Sequence, residues 1–393
     1  MNIEKLKEAG IVSIRDELLR QHAKGKKICR TESGDPSFDP PAAVGIAINK
    51  ALQEGKTHYT PNDGIPQLRE ACLQKLQAMN KFCNIKSRDD IIVTNGAMHA
   101  LYLVINAVVE NKRYKDIDPT VWVPLPVWTE IALIAKEAGA IVKYYDVNPL
   151  NDEIDRMEGI RSIFENETVD VFILNSPQNP TGMIFEKQEI ADIVQLCVER
   201  DAYLISDEAY EHILYEGKHV SPASLTESKN VISIFSCSKS YAMSGLRIGY
   251  IACSEEFLKR RMRKMARFTI NGTCSVAQWG AVEAIGNSDP IYLEKMLKEY
   301  KERRDILVES LQKCTFLTPF NPQGAFYVWC KIDQSAFKEG KGTGWHVAVK
   351  LIEEGIGCAP GEVFGPGQEQ YIRFSFSCST EHINRAAEIL SNL

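Results

Sequence analysis

Several patterns with a clear functional meaning are missing from the sequence. The eleven cysteines form no C-x-x-C pair and no zinc-like spacing, which argues against a disulfide framework and against a metal site. No apolar run reaches transmembrane length, and the N-terminal MNIEKLKEAG lacks a stretch of signal-peptide type. We therefore expect reduced thiols, no metal, no membrane partner and a cytoplasmic location.

Charge excludes a second group of functions. The formal net charge is −6 over 393 residues, without a basic block or an acidic tail, so no nucleic-acid partner is expected.

The sequence has neither a G-x-G-x-x-G nor a P-loop motif, which argues against a plain nucleotide-binding α/β protein. At 44% hydrophobic residues the composition is typical of a globular protein, and the length favours two domains.

Short β-rich runs alternate with amphipathic helical segments from about residue 90 to residue 275. The runs that read as strands are IIVT (91–94), VWV (121–123), AIVKYY (140–145), VDVFIL (169–174), AYLIS (202–206), VISIF (231–235) and RIGYIAC (247–253). Runs that are apolar on both faces are typical of buried strands in a largely parallel sheet. The alternation therefore predicts an α/β domain of three layers.

The remaining sequence predicts a smaller α+β domain. GNSDP (286–290) breaks the alternation, and residues 291–313 form a long, charged, amphipathic segment that predicts a helix linking two domains. We predict a large domain over residues 46–285 and a small domain over residues 286–393. Residues 1–45 are expected to pack with the small domain.

The strongest local motif is SCSKSYAMSGLRIG, residues 236–249, which directly follows an apolar strand. A lysine at such a position, Lys239, is desolvated, which lowers its pKa and frees its amine to attack a carbonyl group. Ser236, Ser238 and Arg247 have the chemistry to hold a phosphate dianion. For the S-x-S-K string alone, a surface lysine in a serine-rich loop is the simpler interpretation; the arginine favours the functional one.

Two further motifs follow predicted strands. NSPQNPTG (175–182) is a turn-forming string, yet Asn179 stands just beyond a strand's carboxyl end, where open α/β sheets bind ligands. SDEAY (206–210) carries Asp207 and Tyr210, and a carboxylate there suits the ring nitrogen of a pyridine cofactor. An ordinary strand-end acid is the alternative for Asp207, and Glu208 is interpreted as a solvated neighbour.

TNGAMHAL (94–101) reads as a junction of strand, glycine and helix. Free backbone amides of Ala97 and Met98 at the start of a helix would bind phosphate oxygens, with Gly96 forming the turn. One glycine is weak evidence, because most strand–helix junctions contain one.

Together, in this order and spacing, the four motifs resemble the fold-type I enzymes that depend on pyridoxal 5′-phosphate (PLP), specifically the class I/II aminotransferase superfamily. The resemblance runs from about residue 30 to the C-terminus. It implies the PLP-dependent transferase fold, PLP as the cofactor, and transfer of an amino group between an α-amino acid and a 2-oxo acid.

The resemblance also implies roles for single residues. Lys239 would hold PLP as a Schiff base and move the substrate's proton, and Asp207 would face the ring nitrogen. Asn179 and Tyr210 would bind the phenolic oxygen. The phosphate would be held by residues of two motifs: Gly96, Ala97, Met98, Ser236, Ser238 and Arg247.

Four residues outside those motifs also match the family. Trp128 in VPLPVW resembles the aromatic residue that stacks on the ring, with a core tryptophan as the alternative. Arg373 in YIRFSFS would bind the substrate carboxylate, unless it lies exposed on an edge strand. Gly34 would allow the substrate's close approach. Tyr59 would reach the phosphate of a neighbouring subunit, which implies a homodimer with shared active sites.

The sequence departs from the family at two points. The glycine-rich phosphate turn is Asn95-Gly96-Ala97, and no second arginine for a side-chain carboxylate is evident, although Arg261, Arg263 and Arg267 precede TINGTCS. Strict specificity for aspartate or glutamate is therefore in doubt. Other PLP reactions, namely elimination, replacement, oxidation or cyclisation, stay open on the same scaffold. A PLP-sensing regulator is disfavoured, because residues 1–30 are too short for a DNA-binding module.

Overall fold

The computed structural model describes residues 10–113, 117–151, 155–287, 289–338 and 340–393. Residues 1–9 of the predicted N-terminal segment, and position 288 in the predicted break, lie outside the described residues. The strands are β1 (Ile91–Thr94), β2 (Thr120–Leu125), β3 (Ile141–Asp146), β4 (Val171–Asn175), β5 (Tyr203–Asp207), β6 (Val231–Ser236), β7 (Gly249–Ala252), β8 (Leu317–Pro319), β9 (Tyr327–Ile332), β10 (Ala359–Pro360) and β11 (Tyr371–Ser375).

The α-helices separate these strands. They are α1 (Ile11–Ala23), α2 (Ala42–Gln53), α3 (Pro66–Lys75), α4 (Ala97–Lys112), α5 (Glu130–Glu137), α6 (Arg156–Asn166), α7 (Lys187–Glu199), α8 (Cys237–Ser240), α9 (Glu256–Thr269), α10 (Ser275–Gly286), α11 (Pro290–Lys313), α12 (Gly344–Glu354) and α13 (Thr380–Leu390). No helix within the described ranges is long and apolar enough to cross a membrane.

The larger sheet has the strand order β1-β7-β6-β5-β4-β2-β3. Strands β2 to β6 pair in parallel, and β7 runs antiparallel to both β1 and β6. Alternate residues of one strand enter different cores: Leu204 packs into one apolar cluster, Tyr203 and Ile205 into another. Helices therefore cover both faces, and the predicted three-layer α/β arrangement with a mostly parallel sheet is confirmed.

The prediction that every strand of this sheet is buried on both faces is wrong for β3. This strand is the outermost one, Ile141 is 50% exposed, and Lys143 pairs with Glu167 at the surface. An edge strand has a neighbour on one side only, so its apolar residues keep partial contact with solvent.

The smaller sheet is antiparallel, with the order β10-β11-β9-β8. Residues of α11, α12 and α13 share one apolar cluster with β9 and β11. The N-terminal segment touches the same region, because Cys29 forms a bridge with Ile356 and Leu18 clusters with Trp345 and Ile352.

Three neighbouring parallel strands end in polar residues at the same edge of the larger sheet. Strand β4 ends at Asn175, β5 at Asp207 and β6 at Ser236. The carboxyl ends of parallel strands are where open α/β sheets bind ligands, and this edge carries the candidate site.

Candidate active site

A cavity of about 200 Å³ lies at this edge of the sheet. It is lined by most of the residues predicted from the sequence: Ala97, Met98, Trp128, Asn179, Asp207, Tyr210, Ser236, Ser238, Lys239 and Arg247. Three other predicted residues, Gly34, Gly96 and Arg373, contact these lining residues directly. Tyr59 is 90% exposed at the surface of the chain.

Lys239 lies on the single-turn helix α8, which begins directly after β6. Its Nζ donates a hydrogen bond of 2.7 Å to the carbonyl oxygen of Gly34. Burial lowers the pKa of Lys239 from 10.5 to about 8, while the negative charge of Asp35 acts in the opposite direction. Burial therefore makes the neutral form of this amine more abundant near neutral pH than in an ordinary lysine.

The lowered pKa predicts the pH dependence of cofactor capture. With a pKa of about 8, about one tenth of Lys239 is neutral at pH 7 and about nine tenths at pH 9. The second-order rate constant for PLP capture by the apo-protein should therefore rise about nine-fold between these values and level off above pH 9. Stopped-flow absorbance measures it. Pyridoxamine phosphate, which has no aldehyde, is the control; a flat PLP profile would contradict the assignment.

Asp207 is the last residue of β5 and is buried at the inner end of the site. One carboxylate oxygen accepts a hydrogen bond of 3.2 Å from the backbone amide of Ala209. Burial, with a smaller contribution from the charge of Glu208, raises the pKa of Asp207 to about 6, against the lowering effect of the Ala209 amide. A carboxylate held in this way gains from a cationic partner, such as a protonated ring nitrogen.

One group of residues, here called the anion cradle, could hold an anion: Gly96, Ala97, Met98, Ser236, Ser238 and Arg247. Gly96 precedes α4 with a φ of 80°, and a side chain there would collide with the guanidinium of Arg247 at 2.5 Å. The amides of Ala97 and Met98 begin α4, and their position at a helix start favours negative charge. The hydroxyl of Ser236 caps α8 by accepting the Ser238 amide at 3.1 Å.

Arg373 approaches the cavity from β11 of the smaller sheet. Its guanidinium donates to Asn179 Oδ1 at 2.9 Å and to the Glu32 carbonyl at 2.7 Å, and it lies over the Tyr327 ring. The Tyr327 hydroxyl is 2.9 Å from that of Tyr210. Arg373 is 1% exposed, so the alternative of an exposed edge arginine is wrong.

Several residues of the site were missed by the sequence analysis. They are Asp35, Ser244, Tyr327 and His99. Ser244 bonds Asp35 through its hydroxyl and accepts from Arg247 through its carbonyl, and the Tyr327 hydroxyl contacts that of Tyr210. His99 Nδ1 accepts the Asn95 amide at 3.2 Å, and its Nε2 lies 2.8 Å from Thr269 Oγ1. Burial lowers the pKa of His99 to about 4, so it stays neutral and fixes the turn before α4. Its place just after the predicted phosphate turn was the available signal.

The interpretation of Glu208 as a solvated neighbour is wrong. Its side chain is buried, and Oε2 contacts the His219 ring at 2.7 Å and the hydroxyl of Ser221. These partners come from a loop further along the chain and bond Oε2, which offsets part of the cost of burying the charge, while Oε1 has no hydrogen-bond partner within the described residues. Glu208 therefore points away from the cavity into its own polar network.

The residues present fit PLP. A buried carboxylate, an amine with a lowered pKa and an anion cradle line one cavity, which matches the ring nitrogen, the aldehyde and the phosphate of the cofactor. Trp128 lines the same cavity, and its buried Nε1 has no hydrogen-bond partner within the described residues. The chemistry of the donor set is therefore complementary to each polar group of PLP.

Comparisons with known proteins agree with this fit. The chain matches the family "Aminotransferase class I and II" over residues 27–390. It is 35% identical to a probable aspartate aminotransferase of Methanocaldococcus jannaschii over 365 residues, which covers 92% of each chain. The solved aspartate aminotransferase of Thermus thermophilus with maleate has a TM-score of 0.87, 31% identity and coverage of 98% of this chain and 96% of that one.

A second solved structure belongs to a protein named for a different specificity. An aromatic aminotransferase of Pyrococcus horikoshii has a TM-score of 0.84 and 28% identity, and covers 95% of this chain and 98% of that one.

Fold, cavity and relatives together define a PLP-dependent enzyme that moves an amino group between an amino acid and a 2-oxo acid. The chain belongs to the class I and II aminotransferase family.

Proposed function

We propose that Lys239 carries out the transfer by binding the cofactor through its amine and by moving the proton of the substrate's α-carbon. The observation that carries this proposal is the meeting of the Lys239 amine, the buried Asp207 carboxylate and the Arg247 guanidinium in one cavity. Amine, counter-charge and phosphate-binding group are the three requirements of a PLP site. A surface lysine would have none of these neighbours.

The phosphate of PLP would be held by the anion cradle. Arg247 supplies a charge, and its Nη1 already donates to the Ser244 carbonyl at 2.7 Å, which fixes the guanidinium in place. Ser236 and Ser238 add hydroxyl donors, and the amides of Ala97 and Met98 add backbone donors. Charge-assisted bonds of this kind anchor phosphates strongly.

The ring of PLP would lie among residues at or just after the carboxyl ends of strands β2, β4 and β5. Asp207 would hold a proton on the ring nitrogen, and Asn179 and Tyr210 would bind the phenolic oxygen, with Trp128 against the ring face. When bound, PLP supplies an electron-withdrawing ring that stabilises negative charge at the substrate's α-carbon. The protein's part is to keep that ring protonated and fixed in orientation.

Arg373 would bind the α-carboxylate of the substrate, next to Gly34. A side chain at Gly34 would collide with the Tyr327 hydroxyl at 2.2 Å, so the glycine keeps the backbone close to both Tyr327 and Lys239. Arg373 is fixed by Asn179 and by the Glu32 carbonyl. A fixed guanidinium matches a carboxylate with two parallel hydrogen bonds.

Replacement of Arg373 tests this role. Arg373→Ala should lower kcat/KM for an amino acid about 30- to 1000-fold, because a desolvated charged interaction is worth on the order of 2–4 kcal/mol. Arg373→Lys should fall in between, since it keeps the charge and loses the two-pronged geometry. PLP content, measured by absorbance, should stay unchanged.

The control separates binding from structure. Arg303 of α11 is also buried, with 3% exposure of its side chain, and it bonds Ser37 and Thr380. Arg303→Ala should affect an amino acid and a simple amine equally. If Arg373→Ala lowers kcat/KM equally for the amino acid and for the amine, Arg373 has a structural role only.

A half-reaction screen tests the proposed function directly. Purified holo-protein is mixed with single amino acids, and conversion of the cofactor to its pyridoxamine form is followed by absorbance. The proposal predicts conversion by at least one amino acid and its reversal by the matching 2-oxo acid. Formation of an eliminated product without the pyridoxamine form would contradict transamination.

We further propose a cytoplasmic homodimer with shared active sites. Tyr59 is 90% and Phe268 71% exposed, and an apolar cleft of about 570 Å³ beside the cavity contains Met98, Tyr102 and Leu133. Exposed apolar surface of this extent supports a subunit contact. All eleven cysteines are free thiols, which supports a reducing compartment.

Mixed dimers test whether Tyr59 reaches the partner's site. Lys239→Ala and Tyr59→Ala subunits are co-expressed with different tags and the hybrid is isolated. If Tyr59 acts in the partner's site, one site of the hybrid is intact, and half of the wild-type activity with wild-type PLP affinity should return. A hybrid whose PLP affinity equals that of the Tyr59→Ala homodimer would place Tyr59 in its own subunit.

The division into a segment 1–45, a large domain 46–285 and a small domain 286–393 also stays a proposal. It is supported by the two separate sheets and by the bonds of the N-terminal segment to the smaller one, such as that from the Ser375 amide to the Thr31 carbonyl. Limited proteolysis should cut first near residues 286–290.

A further inference from the structure

Two tyrosine hydroxyls meet where the smaller sheet reaches the cofactor cavity. Tyr210 follows β5, and Tyr327 is the first residue of β9. Their hydroxyl oxygens are 2.9 Å apart, and the two rings meet at an angle of 76° with their centroids 5.8 Å apart. Tyr210 lines the cavity, whereas Tyr327 does not. Tyr327 can therefore act on a bound cofactor through the hydroxyl of Tyr210.

The surroundings of Tyr327 keep its hydroxyl in this place. The residue is 1% exposed, and its backbone pairs with Ser375 of β11. The guanidinium carbon of Arg373 lies 4.3 Å from the centre of its ring. A side chain at Gly34 would approach the hydroxyl to 2.2 Å, so the backbone of the N-terminal segment packs directly against it. A buried ring packed in this way keeps one orientation, which directs its hydroxyl at Tyr210.

The number of protons decides the direction of the hydrogen bond between the two hydroxyls. By geometry alone, either hydroxyl can be the donor. A tyrosine hydroxyl has one proton to donate, and it can also accept. In the proposed function, Tyr210 donates its proton to the phenolic oxygen of PLP, so the proton between the hydroxyls comes from Tyr327. A hydroxyl that accepts a hydrogen bond becomes a stronger donor itself.

We propose that Tyr327 is a positioning residue for the transfer reaction: it fixes the Tyr210 hydroxyl and donates to it, which strengthens the hydrogen bond from Tyr210 to the phenolic oxygen of the cofactor. This inference rests on the proposed function, in which Tyr210 binds that oxygen. It adds to the site a residue that does not touch the cofactor.

The effect of the tyrosine pair is measurable at the nitrogen that joins Lys239 to the cofactor. The phenolic oxygen carries negative charge and attracts the proton of that nitrogen. A stronger hydrogen bond from Tyr210 stabilises the charge and weakens its hold on the proton. The pKa of the nitrogen should therefore be lower with the Tyr327 hydroxyl than without it. Four charged groups face the two tyrosines and stay unchanged in every variant: Asp35, Asp207, Lys239 and Arg373.

Tyr327→Phe provides the first test. The substitution removes one hydroxyl and keeps the ring beside Arg373. In holo-protein, a pH titration of the absorbance of the lysine-bound cofactor gives the pKa of the nitrogen. The proton affinity should rise about 2- to 5-fold, because the bond of Tyr327 reaches the oxygen only through Tyr210 and is worth less than a direct one. Tyr210→Phe should raise it further.

The two single variants separate this inference from the proposed function. A shifted titration midpoint in Tyr210→Phe with an unchanged one in Tyr327→Phe would overturn the inference and leave the proposed function intact. An unchanged midpoint in both variants would refute the proposed contact of Tyr210 with the phenolic oxygen, and the inference with it.

Tyr300→Phe is the matched control. Tyr300 of α11 is fully buried and packs against the ring of Phe326, as Tyr327 does. Its hydroxyl has no hydrogen-bond partner in the part of the chain that the structure describes, so its midpoint should equal that of wild type. Equal shifts in Tyr300→Phe and Tyr327→Phe would show that repacking of the apolar cluster causes them, and would overturn the inference.

The double variant tests the route of the effect. Since Tyr327 acts through Tyr210, adding Tyr327→Phe to Tyr210→Phe should move the titration midpoint much less than Tyr327→Phe does in the wild type. Equal shifts in the two backgrounds would mean that Tyr327 acts on the cofactor without Tyr210, which contradicts the proposal.

The cofactor-free protein supplies a readout that needs no PLP. The hydroxyl pair forms within the chain itself, so the losses in Tm of Tyr210→Phe and Tyr327→Phe should not add. The double variant should lose clearly less than the sum of the two single losses, because the second substitution removes a hydroxyl that has already lost its partner. Additive losses would show that the two hydroxyls are not bonded in solution and would overturn the inference.

Discussion

Lys239→Ala should abolish turnover and leave the fold intact. The substitution removes both the amine that binds the cofactor and the group that moves the α-proton, and general acid–base catalysis alone contributes about 10²- to 10⁴-fold. We therefore expect a fall in kcat of more than about 10⁴-fold. PLP should still bind through Ser236, Ser238 and Arg247, without a covalent bond.

Stability should change little in this variant. The side chain of Lys239 makes one hydrogen bond, to Gly34, worth about 1 kcal/mol. Its pKa in the folded chain lies below the ordinary value, so at pH 7, below both values, the charged amine is less favourable in the fold than in the unfolded chain. Removal of the amine offsets the lost bond, and Tm should stay within a few degrees of wild type.

Two measurements distinguish the assigned role from a structural one. Borohydride reduction of wild-type holo-protein and peptide mapping should locate the cofactor on Lys239, and finding it on another lysine would refute the assignment. Added methylamine should restore part of the half-reaction of Lys239→Ala, because a free amine can replace the missing proton carrier. A variant that unfolds, or that is inactive with a different lysine labelled, would point to another residue.

Asp207→Asn should impair the rate far more than the affinity for the cofactor. The neutral amide no longer keeps a proton on the ring nitrogen, and loss of a buried ion pair is worth about 3–5 kcal/mol. The half-reaction should therefore slow on the order of 10²- to 10⁴-fold. The PLP dissociation constant should rise much less, because the phosphate contacts lie at the other end of the cavity.

A cofactor analogue supplies the control for Asp207. With 1-deaza-PLP, which has carbon in place of the ring nitrogen, wild type and Asp207→Asn should react at similar rates, since neither can hold a proton there. A large difference with the analogue would show that Asp207 shapes the site. Half-reaction rates within a few-fold of wild type with PLP itself would remove Asp207 from the mechanism.

The parallel strands and the motifs that follow them were predictable because both depend on local sequence. Strands β4, β5 and β6 are buried on both faces, and continuous apolar runs are the signal for such strands. Their ends carry Asn175, Asp207 and Ser236. Since parallel strands end at a common edge, sequence order alone brought the cofactor-binding residues together.

Contacts between distant parts of the chain were not predictable from local patterns. The bonds from Arg373 to Asn179 and from Ser244 to Asp35 join residues far apart in sequence, and no periodicity encodes them. Glu208 shows the same limit, because its burial depends on His219 and Ser221 meeting it. The exposure of β3 follows from its place at the end of the strand order, which the sequence of one strand does not contain.

The chain divides the work of recognition between separate stretches. The proposed contacts of one chain to its own cofactor come from residues 96–247, whereas Gly34 and Arg373, proposed to bind the substrate, come from the N-terminal segment and β11. Evolution can therefore change the preferred amino acid by exchanging a short N-terminal stretch while the inherited cofactor machinery stays untouched. Residues 30–40 are therefore the segment to exchange between relatives that prefer different amino acids.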